Sequence, residues 1–404
     1  MFYRVFRFVL DDRESCFLWG ARQAGKSSFL KDNFKDAIYY DLLKTDELAR
    51  LSNKPWLLRE ELIALKEERL DSGDNSQIIV IIDEVQKVPV LLNEVHWLIE
   101  NEGISFILCG SSARQLRNKS VNLLGGRAML YYFYPLVYKE IDGNTEKDFD
   151  LLRVLQHGTL PRHYLASNSK IDSLLKSYVN TYLTEEIQNE GLVRNLISFT
   201  GFLEVIGISN GELINFTSIG RECGVARTTV EGYFKILVDT LLGNFLYPYK
   251  TKVKRMLITA TPKFYFFDIG VANHLASTKV TSLQGALAGK SFECYIFHEL
   301  KSYASYSGLD YKISYWRTKT GLEVDFILGD AKVAIEVKIS KRVNKSDLKG
   351  LFSFVEEHPN AHAIVVSLDE NRRAIKIDED NKITVYPYAK FLDALWNKSL
   401  DKHM

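Results

Sequence analysis

Apolar residues in the first third of the chain come in short continuous runs, each closed by small or charged residues. Cys16 to Trp19 runs into Gly20, and Ala37 to Tyr40 ends at Asp41. Ile78 to Ile82 ends at Asp83-Glu84, and Ile104 to Cys109 ends at Gly110-Ser111-Ser112. Unbroken apolar runs of this length predict buried parallel strands. Helical stretches lie between them, one from Ser27 to Phe34 and a long charged one from about Leu42 to Leu70, and Met129 to Phe133 reads as a last strand. Strands alternating with helices predict an α/β domain with a parallel sheet.

The pattern then changes. From Lys147 to about Ile214 apolar residues recur at helical spacing, broken at His157-Gly-Thr-Leu-Pro161-Arg162. Phe216 to Leu237 reads as helix, turn at Gly224 and second helix, the form of a helix-turn-helix. Leu242 to Arg255 follows as a β-ribbon wing. Strands return after Lys263, at Ile313 to Arg317, Glu323 to Leu328 and Val333 to Lys338, and a helix starts at Gly289 and runs to Leu300. The predicted organisation is an α/β domain over 1–146, a helical lid over 147–212, a winged-helix-like module over 213–262 and a second α/β domain over 263–404.

Composition narrows the class. With 404 residues, 46% of them hydrophobic and 25% charged, the chain is globular and long enough for several cores. A net charge of +1 gives no global field toward nucleic acid or membrane, so any basic partner surface is local. The four cysteines, Cys16, Cys109, Cys223 and Cys294, show neither metal-ligand spacing nor a disulfide framework. No segment approaches the ~20 apolar residues of a membrane span, and the N-terminus lacks the continuous core of a signal peptide. A cytoplasmic protein with no membrane partner is expected.

The first chemical signal is Gly20-Ala21-Arg22-Gln23-Ala24-Gly25-Lys26-Ser27-Ser28, which fills the P-loop pattern G-x-x-x-x-G-K-[ST]. Glycines let the backbone curl so that successive N–H groups face one concavity, and that concavity plus a helix N-terminus holds phosphates. Lys26 is expected to reach the β- and γ-phosphates of ATP, and the Ser27 hydroxyl to ligate Mg²⁺. The strand ending in Asp83-Glu84 reads as the matching acidic element, with Asp83 on Mg²⁺ and Glu84 on the attacking water. Ser111 is the candidate γ-phosphate sensor, with Ser112 next. Arg127 is the candidate charge-neutralising arginine, acting in cis or on a neighbouring copy, with Arg114 as a second. A homo-oligomer would supply such an arginine in trans.

Two further sets of residues suggest nucleic acid. Arg227, Thr228 and Thr229 open the second helix of the helix-turn-helix, where base or phosphate contacts come from. Lys252, Lys254 and Arg255 sit on the wing and would suit a DNA backbone. In the last domain Glu336 and Lys338 form an E-x-K on one face of a strand, Asp325 lies on the preceding strand and Glu293 on the helix. This is the outline of a restriction-endonuclease-like fold. There Asp325 and Glu336 would be metal ligands, Lys338 would steer or activate water, and Glu293 would complete the cluster.

The motif GARQAGKSS, the phrase Ile82-Asp-Glu-Val-Gln-Lys-Val-Pro89, the GSS-R and GGR elements and Tyr134-Pro135-Leu136 occur in one order. Together they resemble a large bacterial and archaeal group of AAA-type ATP-binding proteins, in which a P-loop domain precedes a C-terminal domain of unknown function. The resemblance covers almost the whole chain. That group usually has proline where Ala21 stands and threonine where Ser27 stands; both replacements keep the needed chemistry. It implies an additional-strand, AAA-like P-loop ATPase domain, with ATP and Mg²⁺ as ligands. Three functions stay open: an ATPase that drives or gates a DNA-associated domain, a metal-dependent DNA nuclease gated by ATP, and a nucleotide-switched DNA- or protein-binding regulator.

Overall fold

A computed structural model describes the chain except for residues 1, 9, 11–13, 113–123, 144–148, 184–192, 194, 250–260 and 378–380. It divides into two compact units. One comprises Phe6–Pro135 with Asp239–Leu241; the other comprises Met1–Val5, Leu136–Val238 and Leu242–Met404.

The first unit is built on strands β1 (Ser15–Trp19), β2 (Ile38–Asp41), β3 (Ile79–Asp83), β4 (Ser105–Gly110) and β5 (Ala128–Tyr132). They form one sheet in the order β2-β3-β4-β1-β5, and every pairing is parallel. The strand after the acid pair, β4, lies between the loop strand β1 and the acid strand β3. Helices α1 (Lys26–Asn33), α2 (Thr45–Asn53), α3 (Leu57–Asp71) and α4 (Leu91–Glu102) make the crossovers. The long helix expected over 42–70 is two helices, α2 and α3. Pro55 explains the break, because the residue before a proline is pushed out of the helical region, and Lys54 sits at φ −136°, ψ 74°. Val80, Ile82, Phe106 and Leu108 face Leu58, Leu62, Val95 and Leu98 in one buried cluster. An all-parallel sheet with covered faces needs such apolar strands. Phe6 and Phe8 add an aromatic group with Phe29, Tyr131 and Phe133.

The second unit begins with short helices α5 (Tyr138–Ile141), α6 (Leu151–His157), α7 (Pro161–Leu165) and α8 (Ile171–Ser177), the last running into a π turn, followed by α9 (Leu196–Ile208). Then come α10 (Phe216–Glu222), capped by Asn215, and α11 (Arg227–Asp239). Strand β6 (Gly243–Leu246) pairs antiparallel with β7 (Lys263–Phe266). The ribbon expected over 242–255 therefore takes its return strand from residues assigned, on sequence, to the start of the next domain. The pairing is favoured by a ring cluster, Phe234 and Phe245 against Phe264.

Helix α12 (Ile269–Leu275) starts at Asp268, whose buried carboxylate caps it through Val271 N at 3.0 Å and also accepts from Thr159 N at 2.6 Å. Helix α13 (Gly285–Tyr306) packs on β10 of a mixed sheet of order β12-β13-β11-β10-β9-β8. Its strands are β8 (Ile313–Arg317), β9 (Glu323–Leu328), β10 (Val333–Lys338), β11 (His362–Ser367), β12 (Arg373–Lys376) and β13 (Lys382–Pro387). Helices α14 (Lys349–Glu357) and α15 (Tyr388–Trp396) complete it. Val324, Ile327, Ala334, Phe354 and Val365 form its core. Among the described residues no helix is long and apolar enough to cross a membrane.

Candidate functional site

In a parallel α/β sheet, side chains that follow the strands' C-terminal ends converge at one edge. Here β1 leads into the loop 20–25, β3 ends at Asp83 and β4 leads into Ser111. Gly20 N donates to Gly110 O at 3.3 Å, which ties two of these exits together. Gln23 (φ 59°) and Gly25 (φ 101°) both take the left-handed backbone that curls the loop. Helix α1 then starts at Lys26 with Gly25, which makes no side-chain cap hydrogen bond, as its N-cap; a helix N-terminus of this kind favours an anion.

Lys26 is 6% exposed. Its ammonium donates to the carbonyl oxygens of Gly20 and, at 3.2 Å, Ala21. Ser27 Oγ donates to Asp83 Oδ2 at 2.8 Å, joining residues 56 positions apart. Tyr39 OH donates to the same oxygen at 2.5 Å. The other oxygen, Oδ1, accepts from Glu84 N at 3.1 Å and Cys109 Sγ at 3.0 Å. Burial, and then Asp83 itself, holds the Tyr39 hydroxyl and the Cys109 thiol above their ordinary pKa ranges. Both therefore stay protonated and remain donors to Asp83. Glu84 is buried and left-handed, at φ 59°. Its Oε2 accepts from Gln86 Nε2, and from Ser111 Oγ at 3.5 Å. Ser112 turns elsewhere, with Oγ donating to Asp239 O at 3.4 Å.

The loop, Lys26, Ser27, Asp83, Glu84 and Ser111 thus come together. Ala21 and Ala24 are buried in the loop, Arg22 is half-buried, and Gln23 and Ser28 are exposed. Arg127 does not join them. It precedes β5, and the register Ser15↔Ala128, Trp19↔Tyr132 sets it at the strands' N-terminal edge, the opposite end from the loop. At about 3.3 Å per residue that is roughly 15 Å away. Arg127 pairs with Glu100 there. The in-cis role expected of it is corrected by this register. Arg114 lies outside the described residues.

On the second unit, Glu293 (α13), Asp325 (β9), Glu336 and Lys338 (β10) also gather, with partners that sequence patterns did not indicate. Lys263 of β7, 4% exposed, pairs with Glu293 at 3.1 Å and Glu323 at 2.6 Å. Tyr265 OH donates to Glu293 Oε1 at 2.5 Å. Asp325 Oδ2 accepts from Val337 N at 2.8 Å, and Lys338 pairs with Glu336 at 2.6 Å. Burial raises the pKa of Asp325 well above the carboxylate range, with Glu336 and Glu293 adding to it; burial also raises Glu336. Burial alone would lower Lys263, but Glu293, Asp325 and Glu323 outweigh it and hold the ammonium above its usual range. Among the described residues no group of three or more acidic, histidine or cysteine side chains is placed to hold a metal ion. Lys263 and Lys338 pair with these carboxylates, and Glu336 Oε2 is buried without a hydrogen-bond partner.

In the helix-turn-helix, Arg227 is exposed and pairs with Glu231 at 2.8 Å, one turn along α11. Thr228 is exposed and Thr229 half-buried. Lys252, Lys254 and Arg255 lie outside the described residues.

Comparison with known proteins places three family models along the chain. Residues 12–142 match "AAA domain", residues 148–282 match "Domain of unknown function (DUF8612)", and residues 288–391 match "Domain of unknown function (DUF4143)". No curated protein matches. A solved structure of the Aeropyrum pernix ORC1 protein in complex with DNA aligns at 14% identity over 65% of this chain and 86% of that chain. The TM-score of that alignment is 0.25. The match over 12–142, set beside the parallel sheet, makes the N-terminal part of this chain similar to the AAA-type P-loop ATPases.

Proposed function

We propose that the chain binds Mg²⁺-ATP at the loop 20–28 and hydrolyses it, and that nucleotide state governs a DNA-associated activity of the remaining domains. The observation that carries this reading is the 2.8 Å bond between Ser27 Oγ and Asp83 Oδ2. It sets two hard oxygen donors side by side at the start of a phosphate-binding helix, a donor set suited to Mg²⁺. Magnesium held there would neutralise charge on the β- and γ-phosphates. The backbone N–H groups of the loop cradle the phosphates. Lys26 exchanges its carbonyl partners for phosphate oxygens, which a charged donor prefers. Glu84 orients the attacking water, Ser111 hydrogen-bonds the γ-phosphate, and ADP leaves with the bonding electron pair. Arg127 can serve only toward a neighbouring copy, as the finger of a homo-oligomer.

For the C-terminal domain, the endonuclease-like outline is kept as a scaffold reading rather than a cleaving one. Lys263 supports this, because it supplies within the chain the positive charge that the carboxylates need. DNA contact is assigned to Arg227, Thr228 and Thr229 with the basic wing residues Lys252, Lys254 and Arg255.

The test is ATP turnover by the full chain with Mg²⁺, beside Glu84→Gln. Loss of turnover by about 100-fold or more is expected of a residue that handles the attacking water. Turnover at the parent rate would remove Glu84 from the mechanism. Incubation with duplex, single-stranded and branched DNA under the same conditions should show nucleotide-dependent, salt-sensitive binding without cutting.

A further inference from the structure

Gln86 is 5% exposed and sits one residue beyond Val85 in the 3₁₀ turn Val85–Lys87. The turn is entered through Glu84 in the left-handed conformation, at φ 59°. For a residue with a Cβ that conformation is costly and marks a local constraint. Its effect here is to fold the Gln86 side chain back onto the carboxylate two residues before it. Gln86 Nε2 donates to Glu84 Oε2 and, at 3.4 Å, to Ser111 Oγ. A carboxylate only accepts, so the amide nitrogen must face it. That orientation sends Oε1 the other way, and Oε1 is buried without a hydrogen-bond partner. Leaving a buried acceptor unpaired is a cost to folding. An apolar side chain of the same size would avoid it.

The neighbouring backbone is shaped around this amide. A Cβ on Gly110 would meet Gln86 Oε1 at 2.1 Å, so the end of β4 has room for the amide because position 110 is glycine. The site accepts an unpaired oxygen, a left-handed glutamate and a side-chain-free strand end, and what it obtains is one N–H aimed at Glu84.

We infer that Gln86 is a positioning residue for hydrolysis: its amide holds the Glu84 carboxylate at the orientation from which Glu84 directs the attacking water, and joins it to Ser111. This rests on the reading of Glu84 given above. The chemistry stays with Glu84; Gln86 acts through it and touches no phosphate.

The test is a double-mutant cycle on the full chain with Gln86→Leu, Glu84→Gln and the double variant. The readouts are kcat, KM for ATP, and equilibrium affinity for a fluorescent ATP analogue with Mg²⁺. Residues that orient a reactive ligand typically account for 10- to 100-fold in activity, so Gln86→Leu should lower kcat by about tenfold or more with affinity for the analogue unchanged. On the Glu84→Gln background the same substitution should cause no further loss. An equal loss on both backgrounds, or an unchanged kcat in Gln86→Leu, overturns the inference. Gln86→Met removes the donor with a different packing, so one poorly folding variant does not decide the matter. If Glu84→Gln turns over like the parent, the reading of Glu84 has failed. If Glu84→Gln is impaired and the Gln86 variants are not, only the inference about Gln86 has failed.

Discussion

Replacing Lys263 with methionine removes one ammonium and keeps the length of the side chain. In the parent this group is 4% exposed and lies 3.1 Å from Glu293 and 2.6 Å from Glu323. Taking one partner from a buried ion pair costs about 3–5 kcal/mol, because the surviving charge stays desolvated. Here two carboxylates lose their partner, and Asp325, already raised, is driven further toward its neutral form. Glu323 keeps Arg317 at 2.6 Å and is 23% exposed, so its share is the smaller one. A loss of about 3 kcal/mol is therefore the expected value, a large part of the roughly 5–15 kcal/mol typical of a domain. Amide hydrogen exchange localises it: protection should fall in β7, β8, β9 and β10, with strands β1 to β5 unchanged. Adding Glu293→Gln to Lys263→Met should recover part of the loss by removing the stranded charge. A loss below about 0.5 kcal/mol, the range of an ordinary surface substitution, would refute the claim that Lys263 neutralises this cluster.

Two other substitutions probe the same unit. Asp268→Ala removes the cap of α12 and leaves the Thr159 and Val271 N–H groups without their acceptor; a loss of about 3 kcal/mol in urea unfolding is expected from a lost cap plus buried unpaired donors, with less than half of that from Asp268→Asn. Glu299 accepts from Tyr138 N and Trp396 Nε1, each at 2.7 Å, and burial raises its pKa from 4.5 to about 7. The folded chain therefore holds a proton that the unfolded chain releases, so stability falls as pH rises through that window. Relative to Glu299→Gln, the parent should lose about 3 kcal/mol between pH 4.5 and 7, and a pH-independent difference would contradict the assignment.

The parallel sheet was legible because its strands are buried on both faces and read as unbroken apolar runs closed by glycine, acid or serine. The loop and the acid pair were legible because each sits where such a strand ends. Register was not legible. Arg127 precedes β5 and so stands at its N-terminal end, but only the parallel pairing of β5 with β1 sets that end opposite the loop. Lys263 was hidden for a similar reason. It lies 30 residues before Glu293 in an aromatic strand, and that strand pairs backward with β6 before it meets the carboxylates. Gln86 left no mark beyond being polar after an acid pair; its role follows from a left-handed Glu84, which composition does not encode. The split of the 42–70 helix was available in the sequence, at Pro55, and a helical pattern on both sides obscured it.

The most direct measurement is equilibrium binding of ATP to the full chain at millimolar magnesium, run beside Lys26→Ala and Asp83→Ala. Saturable binding by the parent is expected, weakened at least about tenfold, or 1.4 kcal/mol, in each variant. A parent that retains no adenine nucleotide, or variants that bind as tightly as the parent, would contradict a triphosphate site built from this loop and this acid.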